Sequence, residues 1–280
     1  MTMATFLLRF CQFNCLNKYK LLTVISFKTP AEKERNVKTV QVVNIGVCGA
    51  LYAGFGYLTH LGIFTPVIGV VRFWPAVIIP AVFAILFGSI VGGFGAALGI
   101  FISDMAIHGD ALLSLTVGVP SNLLGFYLLG YLGRKKMDTN IFLVGILASI
   151  AFAISSILMY ALFPIYFGDL GSLIFVAVSV ICIGLTVVVI YFIPTWRSVN
   201  IASVIGLGAG ALWIGIGVWV YSQFFILPTG ETNLSFFAAL GWFVWTYFTE
   251  IPFLLLAVPP ILKACYAAFS SLQPPESNET

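Results

Sequence analysis

Few side chains in this sequence are ionisable, and Glu250 stands inside apolar sequence where it could do chemistry. Only 8% of the residues are charged, whereas 60% are hydrophobic. Helical spacing places Trp242 and Thr246 on the same face as Glu250. A carboxylate deep in a membrane costs about 3 kcal/mol or more and rarely faces lipid. Glu250 is therefore expected to bind a substrate, to couple to a proton, or to hydrogen-bond at the helix break of Pro252.

Arg72 is the second charge that requires a partner. A half-buried cation is costly in a membrane unless it is paired, and the planar guanidinium suits a carboxylate or phosphate. We predict that Arg72 contacts an anionic ligand group or Asp104, the alternative being an arginine that only reaches lipid headgroups. Four aromatic side chains could stack on a flat heterocycle: Trp74, Tyr127, Tyr221 and Trp242. Of these, Tyr221 fits an anchor at the membrane interface better.

Asn122 and the polar residues after Asp104 are further candidates. Asn122 follows Pro120, so its amide could bind a ligand or satisfy the backbone groups that the proline frees. Asp104, His108 and Asp110 could suggest a metal site, but loops between helices commonly collect polar residues, and we expect no metal there. The five cysteines are scattered without metal-like spacing and predict neither a zinc site nor a disulfide framework.

The sequence also lacks the common catalytic motifs. It contains no G-x-x-x-x-G-K-[ST] phosphate loop, no H-E-x-x-H pair and no G-x-S-x-G elbow. We therefore predict that the chain is not an enzyme, does not itself hydrolyse ATP through such a loop, and uses no cofactor.

Hydrophobic blocks set the elements that must position these residues. Residues 73 to 103 form an uncharged run, which is longer than the roughly 20 residues of one membrane crossing and shorter than two. Gly88 and the glycines after it favour a break, giving two short helices, 73–87 and 89–103. Because short helices leave backbone at membrane depth, they indicate a pocket. The other blocks are 39–63, 112–133, 141–164, 171–193, 201–226 and 235–262.

These blocks predict an all-α, polytopic transmembrane bundle of about eight helices. Basic clusters lie before the first helix and at residues 134–136, and basic residues mark cytoplasmic loops. Both clusters can be cytoplasmic only if an even number of crossings separates them. We predict a multi-pass protein of the cell membrane with both termini in the cytoplasm. A basic tail at 1–36 precedes one membrane domain at 37–266, and a disordered tail follows at 267–280.

Two stripes of small residues permit close helix packing. On the third helix Gly88, Gly92, Ala96, Gly99 and Ser103 form one smooth face, which we expect to pack inside the bundle. On the first helix the small residues are Gly46, Gly49, Ala50, Ala53 and Gly54. This second stripe either packs internally or docks another membrane subunit.

The stretch from Gly46 to Gly133 carries a resemblance to a known family. Its cues are the small-residue first helix around ALYA, Arg72 before a proline-bearing second helix, the phrase FGSIVGGFGAALG with an acid after it, and Asn122 before Gly125. In order and spacing these resemble the N-terminal half of substrate-binding (S) components of energy-coupling-factor (ECF) vitamin transporters. The match covers about a third of the chain. Such components usually have fewer helices than the eight predicted here.

The resemblance implies a membrane component that captures a micronutrient for ATP-driven uptake. Its implied partners are a small-molecule substrate, anionic or aromatic, a transmembrane coupling subunit with a pair of ATPases, and the lipid bilayer, without nucleic acid. Gly46, Gly49, Ala50 and Ala53 match the positions that contact the coupling subunit. The ligand candidates come from the residues themselves, by the cost of burying polar groups and by aromatic stacking: Arg72, Trp74, Asp104, Asn122, Tyr127, Trp242 and Glu250. Two alternatives remain: a stand-alone proton-coupled carrier that depends on Glu250, and a membrane sensor or scaffold.

Overall fold

The computed structural model describes residues 30–62, 73–135, 139–162, 169–269 and 272. Within these ranges the chain is all-helical and contains no strand. The helices are α1 (Pro30–His60), α2 (Ile78–Phe87), α3 (Ser89–Ile107), α4 (Ala111–Gly133), α5 (Thr139–Leu162), α6 (Asp169–Phe192), α7 (Arg197–Ser222) and α8 (Phe236–Ala268). The predicted fold class is confirmed. The first helix begins inside the predicted tail 1–36, and most of both predicted tails lies outside the described residues.

Five of the described helices, α1, α3, α4, α7 and α8, are long and apolar enough to cross a membrane. Their outward surfaces carry bulky apolar side chains, as at Leu98, Leu124 and Leu212. Apolar residues on the outside of an all-helical bundle are what lipid requires. The protein is therefore a multi-pass membrane protein.

The predicted break at Gly88 is confirmed, and it separates a short helix from a longer one. Gly88 has φ 112°, a backbone conformation that glycine adopts without steric cost. Helix α2 has 10 residues and follows a single 3-10 turn at Pro75–Val77. Helix α3 has 19 residues and continues past residue 103 to Ile107. Within this extension, the carboxyl group of Asp104 accepts a hydrogen bond from the Ser114 hydroxyl of α4.

Close backbone contacts between glycines hold the central helices together. The predicted inward packing of the α3 stripe is seen at Gly99, where an added Cβ would lie 2.8 Å from the Gly49 carbonyl oxygen of α1. Between α4 and α7, a Cβ on Gly206 would lie 2.5 Å from the Gly125 carbonyl oxygen. Small residues allow helices to approach this closely. The resulting van der Waals packing drives helix association in lipid, where the hydrophobic effect between helices is absent.

Pro120 and Pro252 lie inside helices that continue past them, and side chains from other helices supply donors to the carbonyls four residues earlier. In α4, Pro120 has no N–H for the Thr116 carbonyl, and Trp213 Nε1 of α7 donates to that oxygen at 3.3 Å. In α8, Pro252 has none for the Phe248 carbonyl, and the Cys182 thiol of α6 lies 3.5 Å from that oxygen. Prolines inside membrane helices are tolerated when neighbours supply such partners.

The two ends of the bundle differ in charge. At one end the Ser198 hydroxyl donates to the Lys135 carbonyl at 3.1 Å, which joins the basic segments that begin at Arg134 and Arg197. At the other end the Tyr221 hydroxyl donates to Asp110 at 2.8 Å. We call these the basic end and the acidic end.

Candidate functional site

A cavity of about 550 Å³ opens toward the acidic end. Helices α1, α3, α4, α7 and α8 form its walls, and residues 227–229 of the loop between α7 and α8 contribute to its rim. Most of the lining is apolar, with a few polar and ionisable groups. This volume and this mixture are typical of small-molecule sites, which hold roughly 300–1,000 Å³.

Five of the predicted ligand residues line this cavity together: Trp74, Asp104, Asn122, Trp242 and Glu250. Their role in binding stays a prediction. Tyr127 is placed elsewhere, since it is 40% exposed and stacks on Tyr131 with ring centroids 6.4 Å apart. Helix α4 turns that side chain to the outer surface, away from the cavity-lining face of Asn122. Arg72 lies outside the described residues.

A chain of hydrogen bonds crosses the wall between α1 and α4. The indole Nε1 of Trp74 donates to the Tyr52 oxygen at 3.4 Å, and the Tyr52 hydroxyl donates to Asn122 Oδ1 at 2.9 Å. The Asn122 amide nitrogen donates to the Gly118 carbonyl at 3.0 Å. Asn122 therefore satisfies backbone near Pro120 and also lines the cavity. Tyr52 is not among the ligand residues predicted from the sequence, although a tyrosine inside an apolar helix needs a partner for its hydroxyl.

Asp104 and His108 form the ionisable wall on α3. One Asp104 oxygen accepts from the Ser114 hydroxyl at 2.6 Å, and the other lies 3.6 Å from His108 Nε2. The backbone N–H of Asp110 donates to His108 Nδ1 at 3.1 Å. The two ring nitrogens of His108 therefore face different groups: Nδ1 faces the Asp110 backbone and Nε2 faces the Asp104 carboxyl group. Gly118 leaves room for the carboxylate, because an added Cβ would lie 2.6 Å from Asp104 Oδ2.

Asp110 caps the start of α4 and ties it to α7. Its side chain accepts from the Leu113 amide at 3.0 Å and from the Tyr221 hydroxyl at 2.8 Å. Partial burial raises the pKa of Asp110, but these hydrogen bonds outweigh it and hold the pKa below the ordinary value. Tyr221 is 8% exposed. The interface-anchor interpretation of Tyr221 is wrong, because the side chain is buried against α4.

Glu250 faces the cavity from α8, one turn beyond Thr246. No hydrogen bond to its carboxylate is made by the residues that the structure describes. The helix continues through Pro252, and the carbonyls before that proline find donors other than Glu250. The Cys182 thiol reaches the Phe248 carbonyl, and the Trp74 amide donates to the Thr249 carbonyl at 3.4 Å. The interpretation that Glu250 serves as a hydrogen-bond partner at Pro252 is therefore not supported. The two interpretations that remain are that Glu250 binds a ligand and that it couples to a proton.

Metal binding has no support within the described ranges. The Asp104 carboxyl group accepts from the Ser114 hydroxyl and lies 3.6 Å from His108. His108 Nδ1 accepts from the Asp110 backbone, and the Asp110 side chain accepts from the Leu113 amide and the Tyr221 hydroxyl. Nowhere in the described part of the chain do three or more His, Cys, Asp or Glu side chains form a group that could hold a metal ion.

The small residues of α1 divide between two faces. Gly46, Ala50 and Gly54 are exposed, and no atom lies within 4 Å of a Cβ added at Gly46 or Gly54. Gly49 and Ala53 point inward: a Cβ on Gly49 would lie 2.9 Å from Leu98, and Ala53 is 6% exposed. The predicted docking set is therefore corrected for Gly49 and Ala53, which pack inside the bundle. We call Gly46, Ala50 and Gly54 the α1 strip.

Relatives give no independent guide to this site. Comparison of the chain with protein-family models, with curated proteins and with solved structures yields no match.

Proposed function

We propose that this chain is the substrate-capture component of an ATP-driven micronutrient uptake system of the ECF type, working with a separate coupling subunit and ATPases. The observation that carries the proposal is the cavity inside the membrane bundle, where aromatic, amide and carboxylate groups converge. The chain contains no phosphate-loop motif, so the energy for uptake would come from its partners. The resemblance of residues 46–133 and the exposed α1 strip support the same division of labour.

In this proposal the acidic end faces outward and the cavity receives its ligand from outside the cell. Basic residues favour the cytoplasmic side, which assigns Arg134, Lys135 and Arg197 to the inner surface. The role of Arg72 at the outer mouth stays a prediction. The same rule places both termini in the cytoplasm.

Orientation can be tested by cysteine labelling in intact cells. After the native cysteines are replaced, Glu231→Cys should react with a membrane-impermeant thiol reagent, and Lys135→Cys should react only after the cells are opened. Both positions are exposed, so access to the side chain is matched. Labelling of Lys135→Cys alone in intact cells would reverse the proposed orientation.

Energy dependence tests the function itself. Ligands that remain bound to the detergent-purified chain are identified by mass spectrometry, and the same compound is then supplied in labelled form. We expect cellular uptake to stop when ATP is depleted and to persist when only the proton gradient is collapsed. Liposomes that contain this chain alone should bind the compound without accumulating it.

A stand-alone proton-coupled carrier is the second candidate, and Glu250 favours it. A carboxylate in an apolar cavity with no described donor is a typical proton-coupling group. That carrier would accumulate the labelled compound in liposomes under a pH gradient without ATP, and Glu250→Gln would abolish the accumulation. This result would replace the first proposal by the second.

A further inference from the structure

If the capture function proposed above holds, the charges of the side chains that line the cavity limit the class of ligand that can bind there. The ionisable side chains that line it are Tyr52, His60, Asp104, His108 and Glu250. No lysine or arginine is among the lining residues of the described ranges. Two carboxyl groups thus face the cavity from opposite helices, α3 and α8.

Within the described ranges, no lysine or arginine pairs with Asp104. Ser114 donates a neutral hydrogen bond to it. His108 Nε2 lies 3.6 Å from Asp104 Oδ1, while His108 Nδ1 accepts from the Asp110 backbone N–H. Asp104 lines the cavity, so its carboxyl group can meet a ligand there.

Glu250 is the less satisfied of the two carboxyl groups. It lies among apolar lining, and the described residues give it no hydrogen bond. An ionised carboxylate in such surroundings is unfavourable until an opposite charge or donor reaches it. An anionic ligand would add repulsion, whereas a cationic one would supply the missing partner.

The aromatic walls suit a flat cation. Tyr52, Trp74, Phe126 and Trp242 line the same cavity as Glu250. Aromatic faces attract cations through the ring quadrupole, by about 0.5–2 kcal/mol for each contact, and they stack on flat rings. Because the described part of the chain offers no group of three metal-ligating side chains here, an organic cation fits better than a metal ion.

We infer that the cavity binds a flat organic cation, with its positive nitrogen between Glu250 and Asp104 and its ring against Trp74 and Trp242. The inferred ligand is therefore a cation, whereas the ligand group expected at Arg72 is an anion. The cavity volume of about 550 Å³ leaves room for a ring with substituents.

Three probes of similar shape and different charge test the inference on the purified native chain: N-methylquinolinium (cation), quinoline at pH 8 (neutral) and 1-naphthoate (anion). Binding is measured by calorimetry in detergent, with empty micelles as the blank. We expect the cation to bind about tenfold or more tightly than either other probe, which corresponds to about 1.4 kcal/mol. Equal or tighter binding of 1-naphthoate overturns the inference, as does the absence of binding by all three probes.

Two variants test whether the Glu250 carboxyl group is responsible for the preference for the cation. Glu250→Gln keeps the shape of the side chain and should remove most of the preference for the cation while quinoline binding changes little. Glu231→Gln, on the exposed loop between α7 and α8, is the matched control and should retain the preference. Equal behaviour of the two variants would exclude Glu250 as the partner. If Glu250→Gln does not fold, the comparison of probes on the native chain still decides the sign.

Failure of this inference is separable from failure of the proposed function. A chain that prefers the cation but accumulates its ligand under a pH gradient without ATP keeps the ligand class and loses the capture function. A chain that prefers 1-naphthoate but needs ATP for uptake keeps the function and loses the ligand class.

Discussion

Ala50→Trp should abolish uptake while ligand binding in detergent remains unchanged. Ala50 lies in the α1 strip, between Gly46 and Gly54, where the bundle leaves a smooth exposed surface. Small residues on membrane helices allow another helix to approach closely. A tryptophan at the centre of this strip would hold a docking helix away. We expect near-complete loss of uptake of the labelled compound, with its calorimetric affinity preserved.

Two variants control for the added bulk. Ala151→Trp makes the same substitution at an exposed position of α5 and should leave uptake intact. Ala53→Trp puts the same side chain at a position that is only 6% exposed, so it should lower the yield of folded protein and with it binding. Parallel loss of uptake and binding in Ala50→Trp would mean that the strip supports the bundle and not a partner.

We expect Gly206→Leu to push α4 and α7 apart and to unfold the part of the bundle that forms the cavity. Even a Cβ at this position would lie 2.5 Å from the Gly125 carbonyl oxygen and 2.9 Å from Leu129. Overpacking typically costs about 1–3 kcal/mol, and the cost rises when a backbone atom has to move. Since Gly125 and Gly210 line the cavity, ligand binding should be lost together with the folded state.

Thermal unfolding of the detergent-purified variant measures this effect. Gly184→Leu on α6 is the matched control, because a Cβ at Gly184 meets no atom within 4 Å. The control should melt close to the native chain, and Gly206→Leu should melt far below it or fail to elute as a folded species. Similar melting of both variants would show that the α4–α7 contact adds little to stability.

The sequence by itself determined the all-helical membrane class and the break at Gly88. Block length and charge-free runs are local properties, and lipid leaves helices as the way to satisfy their backbone. It also singled out Asp104, Asn122 and Glu250 as cavity candidates, because polar groups in apolar blocks carry a cost that is visible without a structure. The glycine at the break is likewise a local signal, since φ 112° is a conformation that suits glycine.

Only the tertiary structure decided which way each helix face points. Spacing puts Gly46, Ala50 and Gly54 in one row and Gly49 with Ala53 in a row alongside. Only the rotation of α1 against α3 decides that the second row is buried and the first is exposed. In the same way Tyr127 faces outward while Asn122 lines the cavity. Helix rotation is fixed by contacts between segments far apart in sequence, so no local pattern contains it. The partner of the carbonyl freed by Pro252 is such a case, because it comes from Cys182, 66 residues away from Phe248.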